Sequence, residues 1–481
     1  MKRPKAAEIV GALLNKMALP ELIEIVPLKE PVRAEITVPG SKSITNRALI
    51  LAALADGEVT LTGALWSEDT QIMTEALQKL GFEIRVEQDE EEFCNRTITV
   101  KGLGGKIPNA GAARKPLEIF VGNAGTAARF LAAFVCLGEG LYYLKGVPRM
   151  NERPQAALFK ALRELGYRVE TEYGNDRLPA FIEGSGPSGG KCKVSIEKSS
   201  QFASALLLCS KVGEWEVKVI GENAEESPYV AMTTKMMEAF PHKGGTFQIE
   251  PDASSGSYFF GAGVITGSIQ TDLPYLPEGK PNIPGNWINI AKKVFVKNWP
   301  NTGWQIDERF KDFSILGTRL FEKFRKDFSE GEVSRGFDLG DSIMTAIALA
   351  PLTYWHFKKG FVKYTDLGRL RLQETERVHA LKTELTKCGA KVEEKGDTLT
   401  VYPSELHGAE IETYDDHRMA MCFAVLGLKV PGIKLQNPSC VKKTFPNFFQ
   451  KLATPPPKGL GVTILDAKSG RKLNLDELFA E

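Results

Sequence analysis

Six times along the chain a polar residue introduces a run of small and apolar residues. The runs open near Ser43, Thr126, Ser200, Ser254, Asp341 and Asp416, and they cover for example residues 48–54, 127–133 and 201–208. Helices built from Ala, Ser, Gly and Leu on every side are predicted to be buried. In most copies a second run follows with apolar positions at helical spacing and a closing glycine, over 70–81, 154–166 and 374–389. That stripe predicts helices with one face in solvent, and strands are predicted next over 83–86, 168–172 and 391–394. The repeating unit is therefore strand, buried helix, strand, amphipathic helix, strand pair, or βαβαββ, with three copies in each half of the chain.

The halves meet near Pro251-Asp252, which predicts an α/β protein of two lobes, each packing three units around a bundle of buried helices. One lobe takes 39–251, and the other takes 1–38 with 252–481. Residues 271–330, rich in Pro, Gly, Trp and Lys, break the rhythm and read as an inserted surface segment. Residues 454–481, opening on Thr454-Pro455-Pro456-Pro457, read as an appended tail.

Composition narrows the function. Among 481 residues, 61 basic and 60 acidic side chains leave a formal charge of +1, which gives no general attraction to nucleic acid or an anionic membrane. Any basic site must be local. Seven cysteines form no Cys-x-x-Cys pair and several sit in apolar helical patterns, as expected of a reducing, cytoplasmic compartment. No run approaches the ~18 apolar residues of a membrane span. The five histidines, His242, His356, His379, His407 and His417, form no cluster with cysteine at zinc-ligand spacing.

Such local basic sites exist. Gly40-Ser41-Lys42-Ser43-Ile44-Thr45-Asn46-Arg47 sets two cations and three hydroxyls at the start of a helix, with Ser43 as the expected N-cap. The first amides of a helix lack internal partners and carry the positive end of its dipole, so an anion is favoured there. Gly122-Asn123-Ala124-Gly125-Thr126 repeats the arrangement after a strand, with glycines that let the backbone approach a ligand. Lys198-Ser199-Ser200-Gln201 is a third such helix start, and the connection holding Arg149 is a fourth candidate. Glu374 and Arg377 are spaced for one helix face, which by itself suits a surface ion pair. Asp415-Asp416-His417-Arg418, by contrast, puts four ionisable groups at the mouth of a buried helix, and Asp341 caps another. Lys443 precedes a further helix. A P-loop over 184–191 is excluded, because its Gly-Lys spacing is wrong and Cys192 stands where Ser or Thr is needed.

In order and spacing, the segments 39–47, 122–129, 148–154, 199–201, 252–258, 341–345, 374–377, 414–422 and 443–446 resemble the enolpyruvyl transferases, across about residues 21–453. The resemblance implies the two-lobed enolpyruvyl transferase fold with its active site in the interlobe cleft. It also implies transfer of the carboxyvinyl group of phosphoenolpyruvate to the 5-hydroxyl of shikimate 3-phosphate, on the shikimate pathway to chorismate and the aromatic amino acids. A tetrahedral intermediate, no metal or organic cofactor, no nucleic acid or membrane partner, and a monomer are expected with it. On this resemblance Lys42, Gly125, Arg149, Gln201, Arg377, Arg418 and Lys443 hold phosphoenolpyruvate. Lys42, Ser43, Arg47, Ser199, Ser200, Gln201 and Asp341 hold the acceptor. Asp341 is the expected acceptor-side base, Glu374 and Lys42 exchange protons at carbon and the bridging oxygen, and His417 and Lys443 support phosphate departure.

Four positions depart from the family pattern. Its serine two residues before Pro228 is Glu226, its asparagine five before Glu374 is Arg369, its lysine next to Glu374 is Gln373, and its proline is replaced by Phe130. The first three lie on the acceptor side, so a related transferase with another cyclic hydroxy acceptor is the alternative. Phe130 implies an altered response to glyphosate, which binds at the phosphoenolpyruvate site. A non-enzymatic RNA- or anion-binding protein is the alternative of another class, and the neutral charge and lack of aromatic-basic stripes count against it.

Overall fold

Two hydrophobic cores organise the chain. The computed structural model describes residues 19–221, 227–266, 294–314, 330–355 and 360–480. Within these, one core is drawn from residues 44–249 and the other from 19–38 together with 258–480. The chain crosses between them twice, side by side. Gly40 and Pro251 form an antiparallel bridge; the Ser41 amide donates to the Glu250 carbonyl and the Asp252 amide to the Pro39 carbonyl, each at 2.8 Å. A side chain at residue 40 would place its Cβ 2.0 Å from the Gly63 carbonyl oxygen, so the crossing requires glycine.

Three four-stranded sheets share one topology. In the first, Gly245–Gln248, Glu58–Leu65, Asn95–Lys101 and Ile84–Gln88 are neighbours in that order; the first pairing is parallel and the other two antiparallel. Leu117–Phe120, Glu139–Lys145, Ala180–Ser185 and Arg168–Thr171 repeat the pattern. So do Glu330–Ser334, Phe361–Thr365, Thr398–Val401 and Val392–Lys395. Parallel neighbours need a crossover, and the small-residue helices supply it. Gly125–Phe134 crosses within the second sheet, Gln201–Gly213 joins the parallel pair Lys191–Ser195 and Glu216–Ile220, and His417–Gly427 joins Glu410–Ile411 to Ile433–Gln436.

These inner helices are buried because their sequences offer no polar face. Every residue of Gly125–Phe134 is buried, as is every residue of Lys42–Leu54 from Ile44 onward. The outer helix Ala156–Glu164 buries only the stripe Leu158, Phe159, Ala161 and Leu162. Among the described residues no helix is long and apolar enough to cross a membrane.

The fold departs from the sequence-based expectations in four places. The first inner helix begins at Lys42, so Ser43 lies in its first turn and Ser41 takes the N-cap position. The helix expected from 374 begins at Arg377, with Glu376 capping it by accepting from the His379 amide, and Glu374 stays on the approach. Within 271–330, residues 294–314 are described and belong to the body of the fold. Val294–Val296 pairs in parallel with Ala34–Ile36, Trp299 packs edge-on against Phe260, and Trp304 stacks on Phe247. Nor is 454–481 an appendage: Ile464–Asp466 pairs with Leu22–Ile25, and Leu473 and Leu478 are buried in the second core. Proline and glycine there mark turns, and the aromatic and aliphatic residues between them are anchors.

Candidate active site

Because each inner helix follows a strand through a short turn, the helix starts gather at one end of each lobe, and the two lobes face each other there. Lys42, Thr126, Gln201, Ser254, Asp341 and His417, one from the start of each inner helix, line a single cleft with about 1220 Å3 of space unfilled by protein. Among the described residues nine lysine and arginine side chains line it against four carboxylates, an excess of five positive charges that the helix dipoles reinforce.

The wall from the C-terminal lobe is a network of ion pairs. Arg377, 1% exposed, sets Nε 2.6 Å and Nη2 3.1 Å from the two Asp416 carboxylate oxygens and Nη2 2.8 Å from Glu374, and Nη1 donates to the Gln373 side-chain oxygen. Asp416 also caps its helix by accepting from the Arg418 amide. Asp341 receives Arg335 at 2.6 Å, Arg418 at 3.3 Å and Arg377 at 4.0 Å. Burial pushes the Asp341 carboxyl up, but Arg418, Arg335 and Arg377 outweigh it and hold it well below the usual carboxylate range. Glu374 is likewise ionised: burial opposes the charge, and Arg377, Lys443 and Arg153 overcome it. Asp307 behaves oppositely. Buried beside the Asp341 charge, and accepting a 2.6 Å hydrogen bond from the Ser342 amide, it is pushed up to about 6.

The wall from the N-terminal lobe holds its arginines with neutral groups. Arg47, 1% exposed, donates to Thr233 and Ser204 hydroxyls at 2.8 and 2.9 Å and to the Ser43 carbonyl, with the Phe130 ring 5.3 Å from its guanidinium carbon. Burial lowers its pKa to about 10. Arg129 bonds the Pro154 carbonyl, and Arg153 the Asn123 carbonyl. Arg129 Nε and Nη1 and Arg153 Nε are buried without a partner among the described residues. Burial and the adjacent Arg153 push Arg129 far down, a cost that a bound anion removes. A Cβ on Gly125 would lie 2.4 Å from Arg129 Nη1 and 2.6 Å from Arg153 Nη2, so glycine lets the backbone close on both guanidinium groups.

The two walls meet at a pair of lysines. Lys42 Nζ lies 3.0 Å from the buried Asp69 carboxylate, and Lys443 Nζ reaches the same carboxylate at 4.0 Å, Glu374 at 3.4 Å and the Asn123 carbonyl at 3.1 Å. His417 sits close by with both ring nitrogens buried and without a hydrogen-bond partner among the described residues, Nδ1 lying 3.8 Å from Asp416. Burial first, then the Lys42 and Arg418 charges, holds its imidazole well below 6.5 and neutral despite Glu374.

The structure thus gathers Lys42, Ser43, Arg47, Ser199, Ser200, Gln201, Asp341, Glu374, Arg377, His417 and Arg418 around one space, with Gly125 and Lys443 against it. Arg149 does not line that space, although its Nη2 donates to the Gln373 carbonyl of the opposite wall at 3.4 Å. It lies on the short helix Pro148–Glu152, is 43% exposed in its side chain, and pairs with Glu152 at 2.7 Å. Arg153, four residues on, takes the place expected of it. The sequence offered both arginines on one connection, and only the fold selects between them. Asp69, Arg335 and Asp307 are further members that the sequence reading missed. Asp69 follows a capping box at Ser67, and Asp307 fell in the segment set aside as an insertion. Glu226 lies outside the described residues.

Solved structures share this architecture. EPSP synthase from Acinetobacter baumannii superposes with a TM-score of 0.64 at 20% identity, covering 92% of this chain and 99% of that one. The enolpyruvyl transferase NikO from Streptomyces tendae superposes at 0.59 with 12% identity, covering 95% and 99%. The fold is that of the enolpyruvyl transferases. Within that class, the sequence model described as EPSP synthase (3-phosphoshikimate 1-carboxyvinyltransferase) matches residues 27–243 and 290–452. The 3-phosphoshikimate 1-carboxyvinyltransferase of Trichormus variabilis (strain ATCC 29413 / PCC 7937) is 36% identical over 453 residues, 90% of this chain and 98% of that protein. That of Vibrio cholerae serotype O1 (strain M66-2) is 37% identical over 446 residues, covering 88% and 97%. The chain belongs to the EPSP synthase family.

Proposed function

We propose that this chain transfers the carboxyvinyl group of phosphoenolpyruvate to the 5-hydroxyl of shikimate 3-phosphate, releasing phosphate and 5-enolpyruvylshikimate 3-phosphate. The observation that carries this reading is the convergence of Lys42 and Arg153 from one lobe with Arg377, Arg418 and Lys443 from the other on one cleft. Each substrate carries a carboxylate and a phosphate, and fixed guanidinium and ammonium groups are the donors that bind both.

Phosphoenolpyruvate is assigned to the corner of Lys42, Gly125, Arg153, Gln201, Arg377, Arg418 and Lys443. The acceptor is assigned to Lys42, Ser43, Arg47, Ser199, Ser200, Gln201 and Asp341. In the addition step the acceptor oxygen bonds to the central carbon of phosphoenolpyruvate, the hydroxyl loses its proton, and the methylene gains one to become methyl. Asp341, kept ionised by three arginines, orients the hydroxyl as hydrogen-bond acceptor and receives its proton as the new bond forms. An ammonium group supplies the proton to carbon; Lys443, 3.4 Å from Glu374, delivers it through that carboxylate. In elimination the methyl returns a proton to Glu374, whose ionised resting state suits it as base, the carbon–oxygen bond to phosphate breaks, and Lys42 protonates the bridging oxygen and is recharged by the proton that Asp341 took from the hydroxyl. Neutral His417 donates a hydrogen bond to the departing phosphate, with Lys443 beside it.

We further infer a monomer acting in the cytoplasm. The cleft is lined from within one chain, and all seven cysteines are buried free thiols. The direct experiment mixes the protein with phosphoenolpyruvate and shikimate 3-phosphate and measures inorganic phosphate. Release that requires both substrates is expected; release from neither, with RNA retained at physiological salt, would overturn the reading.

A further inference from the structure

Of the four arginines that the C-terminal lobe presents to the cleft among the described residues, three are neutralised: Arg335 and Arg418 by Asp341, and Arg377 by Asp416 and Glu374. Arg369 is not. It is partly buried and lines the cleft, yet it has no ion pair or hydrogen bond among the described residues. Its local structure explains the contrast with Arg371. Gly368–Leu372 is a 3-10 helix, in which residues three apart share a side. Residues 369 and 372 both face the cleft, whereas Arg371 points away to Glu376, Glu394 and Asp397.

The neighbours of Arg369 are Arg335 and Tyr229. A partly buried guanidinium next to a second guanidinium, with no carboxylate paired to it among the described residues, is unfavourable until an anion joins it. The anion can be located within the cleft. Arg335 belongs to the Asp341 cluster, at the end assigned to the acceptor hydroxyl. The unpartnered guanidinium nitrogens of Arg129 and Arg153 lie at the other end, against Gly125. Tyr229 ties this corner to the N-terminal lobe, since its carbonyl accepts from Ser204 on the helix Gln201–Gly213. Ser199, Ser200 and Lys198 line the cleft at the start of that helix. The buried Ser227 hydroxyl, which opens the helix carrying Tyr229, has no partner among the described residues. Gln373 does not supply charge here, because its side-chain oxygen accepts from Arg377.

Taking the proposed reaction as the premise, we infer that Arg369 selects the phosphorylated acceptor by binding its phosphate in a two-pronged contact, clamping it against the serines of the opposite lobe. The residue pair Arg369 and Gln373 then carries the same charge as the asparagine and lysine of the family pattern, with the cation moved to the other position.

The test measures binding by titration calorimetry, with turnover alongside, for the parent, Arg369→Gln and Arg369→Lys proteins, using shikimate 3-phosphate and unphosphorylated shikimate. Arg369→Gln is expected to weaken shikimate 3-phosphate by about 30-fold or more, to leave shikimate and the KM for phosphoenolpyruvate within about threefold, and to keep the parental melting temperature. Arg369→Lys and the double variant Arg369→Gln with Gln373→Lys should each restore part of the loss. Equal binding of shikimate 3-phosphate by parent and Arg369→Gln, or equal loss for both acceptors, would overturn the inference. A parent that binds shikimate 3-phosphate through Arg369 but releases no phosphate from phosphoenolpyruvate would sink the reaction and leave the inference standing.

Discussion

The two walls of the cleft solve the same electrostatic problem in opposite ways. The C-terminal lobe buries its arginines against carboxylates, as in Arg377 with Asp416 and Glu374 and Arg418 with Asp341. The N-terminal lobe buries Arg47, Arg129 and Arg153 against hydroxyls and carbonyls and leaves several nitrogens unsatisfied. The first arrangement, Arg369 apart, has its charges paired without a ligand and holds its side chains oriented. The second is electrostatically incomplete, so an arriving dianion gains most of its differential binding there. One wall is set by folding, and the other is completed by substrate.

The comparison predicts that equivalent truncations fail differently. The largest effect is expected for Asp416→Ala, which leaves the buried Arg377 charge without its carboxylate and removes a helix cap; chemical denaturation should report a loss of about 3–5 kcal/mol. On the other wall Arg153→Ala should leave the unfolding midpoint nearly unchanged, because it removes repulsion with Arg129. It should instead lower kcat/KM for phosphoenolpyruvate by about 3 kcal/mol, on the order of a hundredfold. Arg149→Ala, its exposed neighbour, should change kcat/KM by less than about threefold. If Arg153→Ala unfolds the protein while Asp416→Ala does not, the contrast between the walls is wrong.

Asp307 sharpens the contrast within the C-terminal lobe, since Asp341 nearby is held low and Asp307 is raised from 3.8 to about 6. In the window between those values the folded chain holds a proton that the unfolded chain has lost, so this residue lowers stability as pH rises, and the deficit persists above 6. Arg418, Arg335, Asp252 and Tyr229 face the same carboxylate and fix that window. Asp307→Asn should therefore raise stability at neutral pH by about 2–3 kcal/mol, and the gain should vanish towards pH 4. A gain independent of pH would refute the assignment. Gly125→Ala, which pushes a methyl group against Arg129 and Arg153, should raise the KM for phosphoenolpyruvate on the order of tenfold and leave that for the acceptor alone. The smallest expected change is in inhibition by glyphosate on Phe130→Pro, measured as a shift in inhibition constant; identical constants would show that the ring beneath Arg47 does not matter.

Much of this arrangement was legible in the sequence for definite reasons. Small residues on all sides of six runs can only be buried, and residues that precede such helices are forced to the ends of the lobes, so Lys42, Gln201, Asp341 and His417 announced themselves as mouth residues. Charge in connections was less legible. Arg149 and Arg153 share one turn and one chemistry, and the short helix Pro148–Glu152 leaves the first at the rim, against Glu152 and the Gln373 carbonyl, and turns the second inward. Asp307 was hidden because Pro, Gly and Trp density reads as irregular surface, when Trp299 and Trp304 in fact pin that segment to both lobes.

The sequence by itself determined the repeating unit, the buried helices, the place where the halves join and the residue types that grip an anion. All of these follow from periodicity and local backbone preference. Tertiary structure alone decided which cations are neutralised and which wait, because pairing Arg377 with Asp416 or leaving Arg369 without a partner among the described residues depends on groups brought together from distant parts of the chain. Local pattern fixes where a charge sits along its element, and only packing fixes what faces it.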